Sequence, residues 1–477
     1  MHRRSLLLGA ASALGLAGCS TFPGLSGPRA AAVDRDDPFV HELQERTFRW
    51  FADVTPVETG LTPDRWPNET FCSVAAVGFA LTVWPIGVRR GWMSRDEART
   101  RTLNTLRFFR DLPQGPETSG VGGHRGFFYH FLNERGHRFG TTELSTIDTT
   151  LFLGGALFAA GFFDGADRAE AEIRRLADAL YARVEWTWIT PDAPYVSMGW
   201  HPEDGGRFIE ADWSDWNEAA LLYLLALGSP THPLPDGAWQ AWTANFDKVW
   251  GTPPWGGQPH LQFAPMFGHQ YSHLWVDFRG VQDAYMRAKG IDYFENSRRA
   301  TYAQRAYAVA NPGGWHDYGA EIWGLTACDG PGDFKVAIDG REREFFSYSA
   351  RGPGERDDGT LAPTALGGSI PFAPEITVAG LKSIRDRYGE AVWTRYGFLD
   401  SFNPTLTRYD GRLQHGKIVP GVGWVDGDYL GIDQGPIVAM IENWRSDLVW
   451  TVMRKSPHLR RGLRRAGFSG GWLDEPA

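Results

Sequence analysis

Cysteine is scarce: only Cys19, Cys72 and Cys328 occur in 477 residues. That excludes a disulfide-stapled scaffold. Neither Cys72 nor Cys328 sits in a CxxC or His-rich pattern, so no structural zinc site is expected, and whether the two pair is left open by the sequence. Positive charge is also in deficit, with 48 Lys and Arg against 57 Asp and Glu. A chain of net charge -9 lacks the clustered basic surface that nucleic acid requires. No fixed-period repeat is present, which argues against a solenoid. There is no P-loop, no serine nucleophile elbow and no convincing dinucleotide motif, and no cofactor or metal is expected.

What the chain has in excess is aromatic surface: 21 Trp, 29 Phe and 15 Tyr. A large core accounts for part of this. The rest suits a groove in which aromatic faces meet the C–H-rich faces of sugar rings while polar neighbours take the hydroxyls. At the N-terminus, Arg3 and Arg4 precede an apolar run from Leu6 to Leu16, followed by Ala17-Gly18-Cys19. The run is too short to span a bilayer and reads as a signal peptide. Small residues before Cys19 resemble a bacterial lipobox, which implies cleavage before Cys19 and lipidation of its thiol. The expected organisation is a signal peptide over 1–18, a lipidated tether over 19–37 and a single domain over 38–477. Ser20 after Cys19 points to the periplasmic face of the outer membrane, and no second membrane span follows.

The remainder reads as helices alternating with loops. Apolar, small-residue helices are expected from Val74, Thr149, Asp215 and Gln434, and amphipathic, charged ones from Arg95, Arg168 and Tyr293. Further helices are expected over Phe39–Phe51, Asp277–Lys289, Pro374–Tyr388 and Pro457–Arg465, and from Pro235 to about Val249. A helix apolar all round is buried, whereas an amphipathic one faces water. Their alternation predicts an inner ring wrapped by an outer ring: an all-α fold of the (α/α)6 toroid type with long functional loops. Asp339-Gly340 predicts a hairpin turn in one of those loops.

Acids recur where a loop meets an apolar helix: Glu143 and Asp148, Asp215 and Glu218, and Asp433. Each suits a helix start by capping and by the dipole. In a toroid such starts can converge on one cavity. Glu218 heads the apolar Ala219 to Leu227 stretch, where desolvation would raise its pKa and suit a general acid. A pair of such carboxyls is what glycoside hydrolysis needs. His269-Gln-Tyr-Ser-His273 is a second polar cluster. Without a Glu after the first His it is no metalloprotease motif, and substrate hydrogen bonding or core packing is expected of it, with Tyr271 and His273 as bases of a lyase kept as a rival.

Taken together, Ser73-Val-Ala-Ala-Val-Gly-Phe-Ala-Leu81, Gly126-Phe-Phe-Tyr-His-Phe131, Glu143-Leu-Ser-Thr-Ile-Asp148, Asp358-Gly-Thr-Leu-Ala-Pro-Thr364 and Ile432-Asp-Gln-Gly-Pro436 resemble the bacterial glucoamylase-like domain family. That family in turn resembles glycoside hydrolase family 144. The resemblance covers about Phe39 to Leu473. It implies an exported glycoside hydrolase that cuts β-glucan, β-1,2-linked above all, in endo or exo fashion and with inversion. A transglycosylase on the same fold and a non-catalytic glycan-binding lipoprotein are the alternatives. Glu218 is carried over as the acid, Asp433 as the base and Asp400 as the second candidate base. Glu143 and Asp148 are expected to bind sugar or support a proton path. Trp200, His269, Tyr271, His273, Arg279 and Glu375 are expected to line the groove. The expected partners are a β-glucan and, through Cys19, a membrane; a monomer is expected.

Overall fold

The computed structural model describes residues 33–476 apart from 69 and 70, so the signal peptide and Cys19 lie outside the described residues. Seven of the first nine helices of the toroid are long. They are α1 (Pro38–Val54), α2 (Val74–Arg90), α3 (Arg95–Asp111), α4 (Thr146–Phe162), α5 (Arg168–Ala182), α6 (Ala220–Gly228) and, after the short α7 (Ala238–Thr243) and α8 (Tyr271–Trp275), α9 (Tyr293–Ala310). The ring is completed by α10 (Thr364–Gly367), α11 (Pro374–Tyr388) and α12 (Gly431–Ser446). Even-numbered helices form the inner ring and odd-numbered ones the outer ring of an (α/α)6 toroid. No described helix is long and apolar enough to cross a membrane.

Local sequence explains the alternation. Helix α2 is buried along almost its whole length because its residues are apolar or small on every side. Ser73 caps it by accepting from the Ala76 N–H, and Gly91 ends it in the left-handed region, which a side chain disfavours. The same device opens α4, where Ser145 accepts from the Asp148 N–H. Gly78 of α2 faces Gly155 of α4 so closely that a Cβ on Gly155 would lie 2.0 Å from the Gly78 carbonyl oxygen. The two inner helices therefore touch backbone to backbone. In α5, by contrast, Ile173, Leu176, Ala177 and Leu180 are buried and the charged residues between them face outward, the pattern of an outer helix.

The ring closes between the ends of the domain. Gln44 of α1 donates to the Val438 carbonyl at 3.1 Å and to Glu442 at 3.0 Å, both on α12, and Arg90 of α2 pairs with Glu442 at 2.6 Å. Short strands trim the loops. A five-stranded antiparallel sheet runs Gly123–His124, Phe127–Tyr129, Leu144–Ser145, Gly199–His201, Arg207–Phe208. The expected hairpin is present, with Phe334–Ile338 paired to Arg341–Phe345 around Asp339 and Gly340, both at positive φ.

Three expected helices are shortened. The stretch from Asp215 is a turn, with Asp215 itself at φ 58°, and α6 begins only at Ala220. The sequence offers Ser214 as the cap of a helix from Asp215, but instead the Asn217 side chain accepts from the Ala219 N–H, and Ser272 of α8 accepts from the Leu221 N–H at 2.9 Å. Asp277 to Gln282 stays irregular because Asp277 is bound to Arg279, and the helix there spans Ala284–Lys289 under an Asp283 cap. The stretch from Pro235 gives α7 and a single turn at Phe246–Lys248. Cys72 and Cys328 are both buried free thiols.

Candidate active site

The loops that precede the inner helices gather the acids. Arg65–Trp66 pairs antiparallel with Tyr429–Leu430, and the Gly431 N–H donates to the Asp64 carbonyl at 2.8 Å. This sets Asp64 and Arg65 beside the start of α12, which carries Asp433. The Asp400 N–H donates to the Asp428 carbonyl at 3.0 Å, and the Asp426 N–H to the Ser401 carbonyl at 3.0 Å. The Asp329 N–H donates to Asp400 Oδ2 at 2.8 Å. Across the ring, the Glu218 carbonyl is held by the Ser272 hydroxyl at 2.7 Å. At the centre stands Tyr271, donating to the Ile432 carbonyl at 3.2 Å. Burial, then the charges of Asp433 and, further down, Glu218 and Asp148, push its hydroxyl pKa well up, so these acids surround one point.

On one side each acid is matched. His130 Nδ1 meets Glu143 at 2.8 Å, and its Nε2 lies 3.6 Å from Asp148. The sheet makes this possible, because the His130 N–H donates to the Glu143 carbonyl at 3.0 Å. Burial works against the imidazolium, but Asp148 and Glu143 outweigh it and raise the His130 pKa to about 9. Glu143 is held below its ordinary pKa: burial opposes this and the His130 bond prevails. Asp148, fully enclosed and bonded by the Ser145 hydroxyl, is raised, chiefly by burial. Glu218 differs. Its Oε2 has no hydrogen-bond partner, and burial raises its pKa to about 7.

On the other side the acids crowd together. Asp400 and Asp433 lie side by side, each in the other's field, while Asp400 Oδ1 and Asp433 Oδ2 have no hydrogen-bond partner; two buried carboxyls so placed cannot both ionise readily. Burial and then Asp329 raise Asp400 to about 7, while burial and then Asp400 raise Asp433 well above the carboxylate range. Arg65 reaches Asp329 at 2.6 Å and Asp64 at 3.4 Å. Tyr348 projects over this side with its side chain 45% exposed, yet its hydroxyl feels burial and the charges of Asp433, Asp64 and Asp400. An exposed hydroxyl beside buried carboxyls marks an edge where these acids approach solvent. The same holds for His130, 33% exposed, and Glu143, 28% exposed.

Next to Glu218 lies a cavity of about 570 Å³ bounded by Trp216, Asn217, Lys248, Trp255, His260 and Gln262. It adjoins the acid's own loop, and none of the clustered carboxyls borders it. A half-open cleft with aromatic walls and scattered amides beside a buried acid has the lining that a sugar chain would need.

The structure therefore brings together Glu218, Asp433, Asp400, Glu143, Asp148 and Tyr271. It places the other expected lining residues in the wall, with many of their polar atoms already engaged, although His273 Nδ1 has no partner. His269 is buried, with Nδ1 accepting from Trp216 at 3.1 Å and Nε2 against the Phe263 carbonyl. His273 is buried against the Ser297 hydroxyl at 2.9 Å, and burial lowers its pKa to about 3, which leaves no base there for a lyase reaction. Arg279 pairs with Asp277 and Asp447 and lies 4.1 Å over the Trp450 ring. Glu375 opens outer helix α11 and accepts from the Tyr302 hydroxyl. Trp200 packs in an aromatic cluster with His124 and Trp188, on the strand beside Glu143. Sequence reasoning missed His130, Arg65, Asp329, Asp426 and Tyr348. The doublet Asp426-Gly-Asp428 before the last inner helix was the one local signal for the crowded side.

The family profile described as "Putative glucoamylase" matches residues 210–457. An exo-β-1,2-glucooligosaccharide sophorohydrolase (non-reducing end) of Parabacteroides distasonis is 26% identical over 457 residues, or 90% of this chain, which spans only 58% of that enzyme's length. Among solved structures, a putative glucoamylase from Bacteroides uniformis is 28% identical with a TM-score of 0.78, covering 93% of this chain and 100% of that one. The endo-β-1,2-glucanase of Chitinophaga pinensis, solved with sophorotriose and glucose, shares the fold at TM-score 0.76 and 24% identity, over 92% of this chain and all of that one.

Proposed function

Since the chain belongs to the putative glucoamylase family, whose profile covers just over half of it, we propose that it is a glycoside hydrolase that cleaves β-1,2-glucan by an inverting, two-carboxyl mechanism. The observation that carries this reading is the pairing of an isolated, unbonded, buried acid, Glu218, with the Asp433–Asp400 carboxyl pair across Tyr271. The likeness to a sophorohydrolase supports the linkage.

The steps follow from the residues. Glu218, largely protonated below neutrality, gives its proton to the glycosidic oxygen as the bond from C1 to that oxygen breaks. A water on the opposite face forms the new C1–O bond and passes a proton to the Asp433–Asp400 pair, in which one carboxyl stays ionised to accept it. Glu143, kept ionised by His130, and Asp148 accept from sugar hydroxyls. The leaving chain occupies the cavity walled by Trp216 and Trp255.

We place the enzyme, by the Cys19 motif, on the periplasmic face of the outer membrane as a lipoprotein; Cys19→Ala would then no longer take up labelled fatty acid. The activity is tested by product analysis on linear β-1,2-glucan beside β-1,3-, β-1,4- and α-1,4-glucans. Short oligosaccharides from the β-1,2 substrate alone, born with the α-anomeric configuration, are expected. Release from another linkage would overturn the substrate, and β-anomeric products would overturn the inversion.

A further inference from the structure

Asp329, Asp400 and Asp426 come from three separate loops: after Ala327–Cys328, between Gly397–Phe398 and Phe402–Asn403, and after Gly423–Val425. All three are buried, and each offers one carboxylate oxygen within 4.8 Å of the other two. One guanidinium, Arg65, serves this region. It is committed to Asp329, with Asp64 and Asp428 at longer range. Among the described residues it forms no ion pair with Asp400 or Asp426. Asp426 is 2% exposed; Oδ1 accepts the Gly427 N–H at 2.7 Å, and Oδ2 has no donor at all. Buried carboxylates without a compensating charge or donor are costly, and proteins offset them with a counter-ion or a proton.

We infer that Asp329, Asp400 and Asp426 form a site for one hard divalent cation of the Ca²⁺ type, which ties these three loops together beneath the cavity. The donor set decides the class. It is all carboxylate oxygen, which suits Ca²⁺, Mg²⁺ or Mn²⁺ and not a thiolate-seeking metal. Ca²⁺ tolerates the irregular geometry of loop-borne ligands better than Mg²⁺ does. His415 lies nearby, but its Nδ1 sits 3.3 Å from the Arg65 guanidinium and 3.7 Å from Asp329, so it belongs to the Arg65 side. No cation was expected from the sequence, since the three ligands span nearly 100 residues and share no motif. The inference concerns loop architecture and does not depend on the substrate, although Asp400 is shared with the proposed base pair.

The test uses the whole described domain after chelation and dialysis. Trp424 donates to the His415 carbonyl at 2.8 Å, two residues before Asp426, and so serves as an antenna for bound terbium. Tryptophan excitation is expected to give sensitised Tb³⁺ emission that millimolar Ca²⁺ quenches, and Ca²⁺ alone is expected to raise the melting temperature by several degrees. Asp426→Asn should lose both responses while keeping its far-ultraviolet circular dichroism. Emission and stabilisation that survive in Asp426→Asn would put the metal elsewhere and overturn the assignment. Absence of both responses in the wild-type domain with Ca²⁺, Mg²⁺ and Mn²⁺ would overturn it too. Should Asp426→Asn fail to fold, metal content of wild-type protein reloaded with Ca²⁺ and then dialysed against metal-free buffer without chelator decides: one calcium per chain supports the site, and none refutes it.

Discussion

The two walls of the cavity use the same residue types and treat them oppositely. On the His130 wall a single imidazole bridges two carboxyls, and Glu143 stays ionised. On the Asp433 wall, Asp64, Asp329, Asp400, Asp426, Asp428 and Asp433 share one arginine, and the inner members are driven toward protonation. Glu218 stands between the two patterns: alone, enclosed and unbonded. Charge compensation, more than acid identity, thus decides which carboxyl stays ionised and which is driven toward protonation.

The contrast can be broken at its strongest point. Glu218→Gln keeps the shape and removes the donor; kcat on β-1,2-glucan should fall by about 10²–10⁴-fold, with circular dichroism unchanged. If turnover stays near normal, Glu218 is not the acid. The wild-type rate should also drop as pH rises through about 7, because the donor must be protonated and Glu218 loses its proton there; a rate that is flat from pH 6 to 9 would contradict this. A smaller loss, on the order of tenfold in kcat/KM, is expected for His130→Gln, which leaves Glu143 without its cation.

His130 also makes a stability prediction with a definite sign. Its folded pKa of about 9 lies above the ordinary 6.5, so the stabilisation it gives is complete below pH 6.5 and is lost as pH rises through 9. The melting temperature gap between wild type and His130→Gln should therefore be widest near pH 6 and narrow by pH 10; a gap that does not change with pH would mean the imidazole acts by packing alone. The smallest effect is expected of Glu375→Gln. Its carboxyl is used on an outer helix by Tyr302, and activity should stay within about twofold of wild type, as for a substitution remote from any cavity.

Much of the ring was legible because inner and outer helices carry different patterns and end on capping residues. Ser94 and Ser73 mark the starts of α3 and α2, and Pro374–Tyr388 and Pro457–Arg465 match the expected bounds residue for residue. The miss at Asp215 has a physical cause. The first turn that Ser214 would have capped is replaced by a tertiary bond from Ser272, which no local pattern announces. The site was legible only where acids sit on helix starts: Glu218, Asp433 and Asp148. His130 depends on strand pairing with Glu143, and Asp329 and Asp426 on loops far apart in the chain, so nothing short-range pointed to them. His269, His273 and Arg279 look reactive in a string of letters, but Trp216, Ser297 and Asp277 occupy them.

Closure of the ring by α12 against α1 has a consequence in time. Asp433 rides on the last helix of the toroid, and that helix is seated by Gln44 near the domain's beginning. Synthesis delivers the chain from its N-terminal end, so Glu218, Glu143 and His130 emerge long before the residues opposite them. Until α12 docks, the nascent chain carries the proposed proton donor with nothing across from it, and the proposed site is incomplete while the chain is still being made.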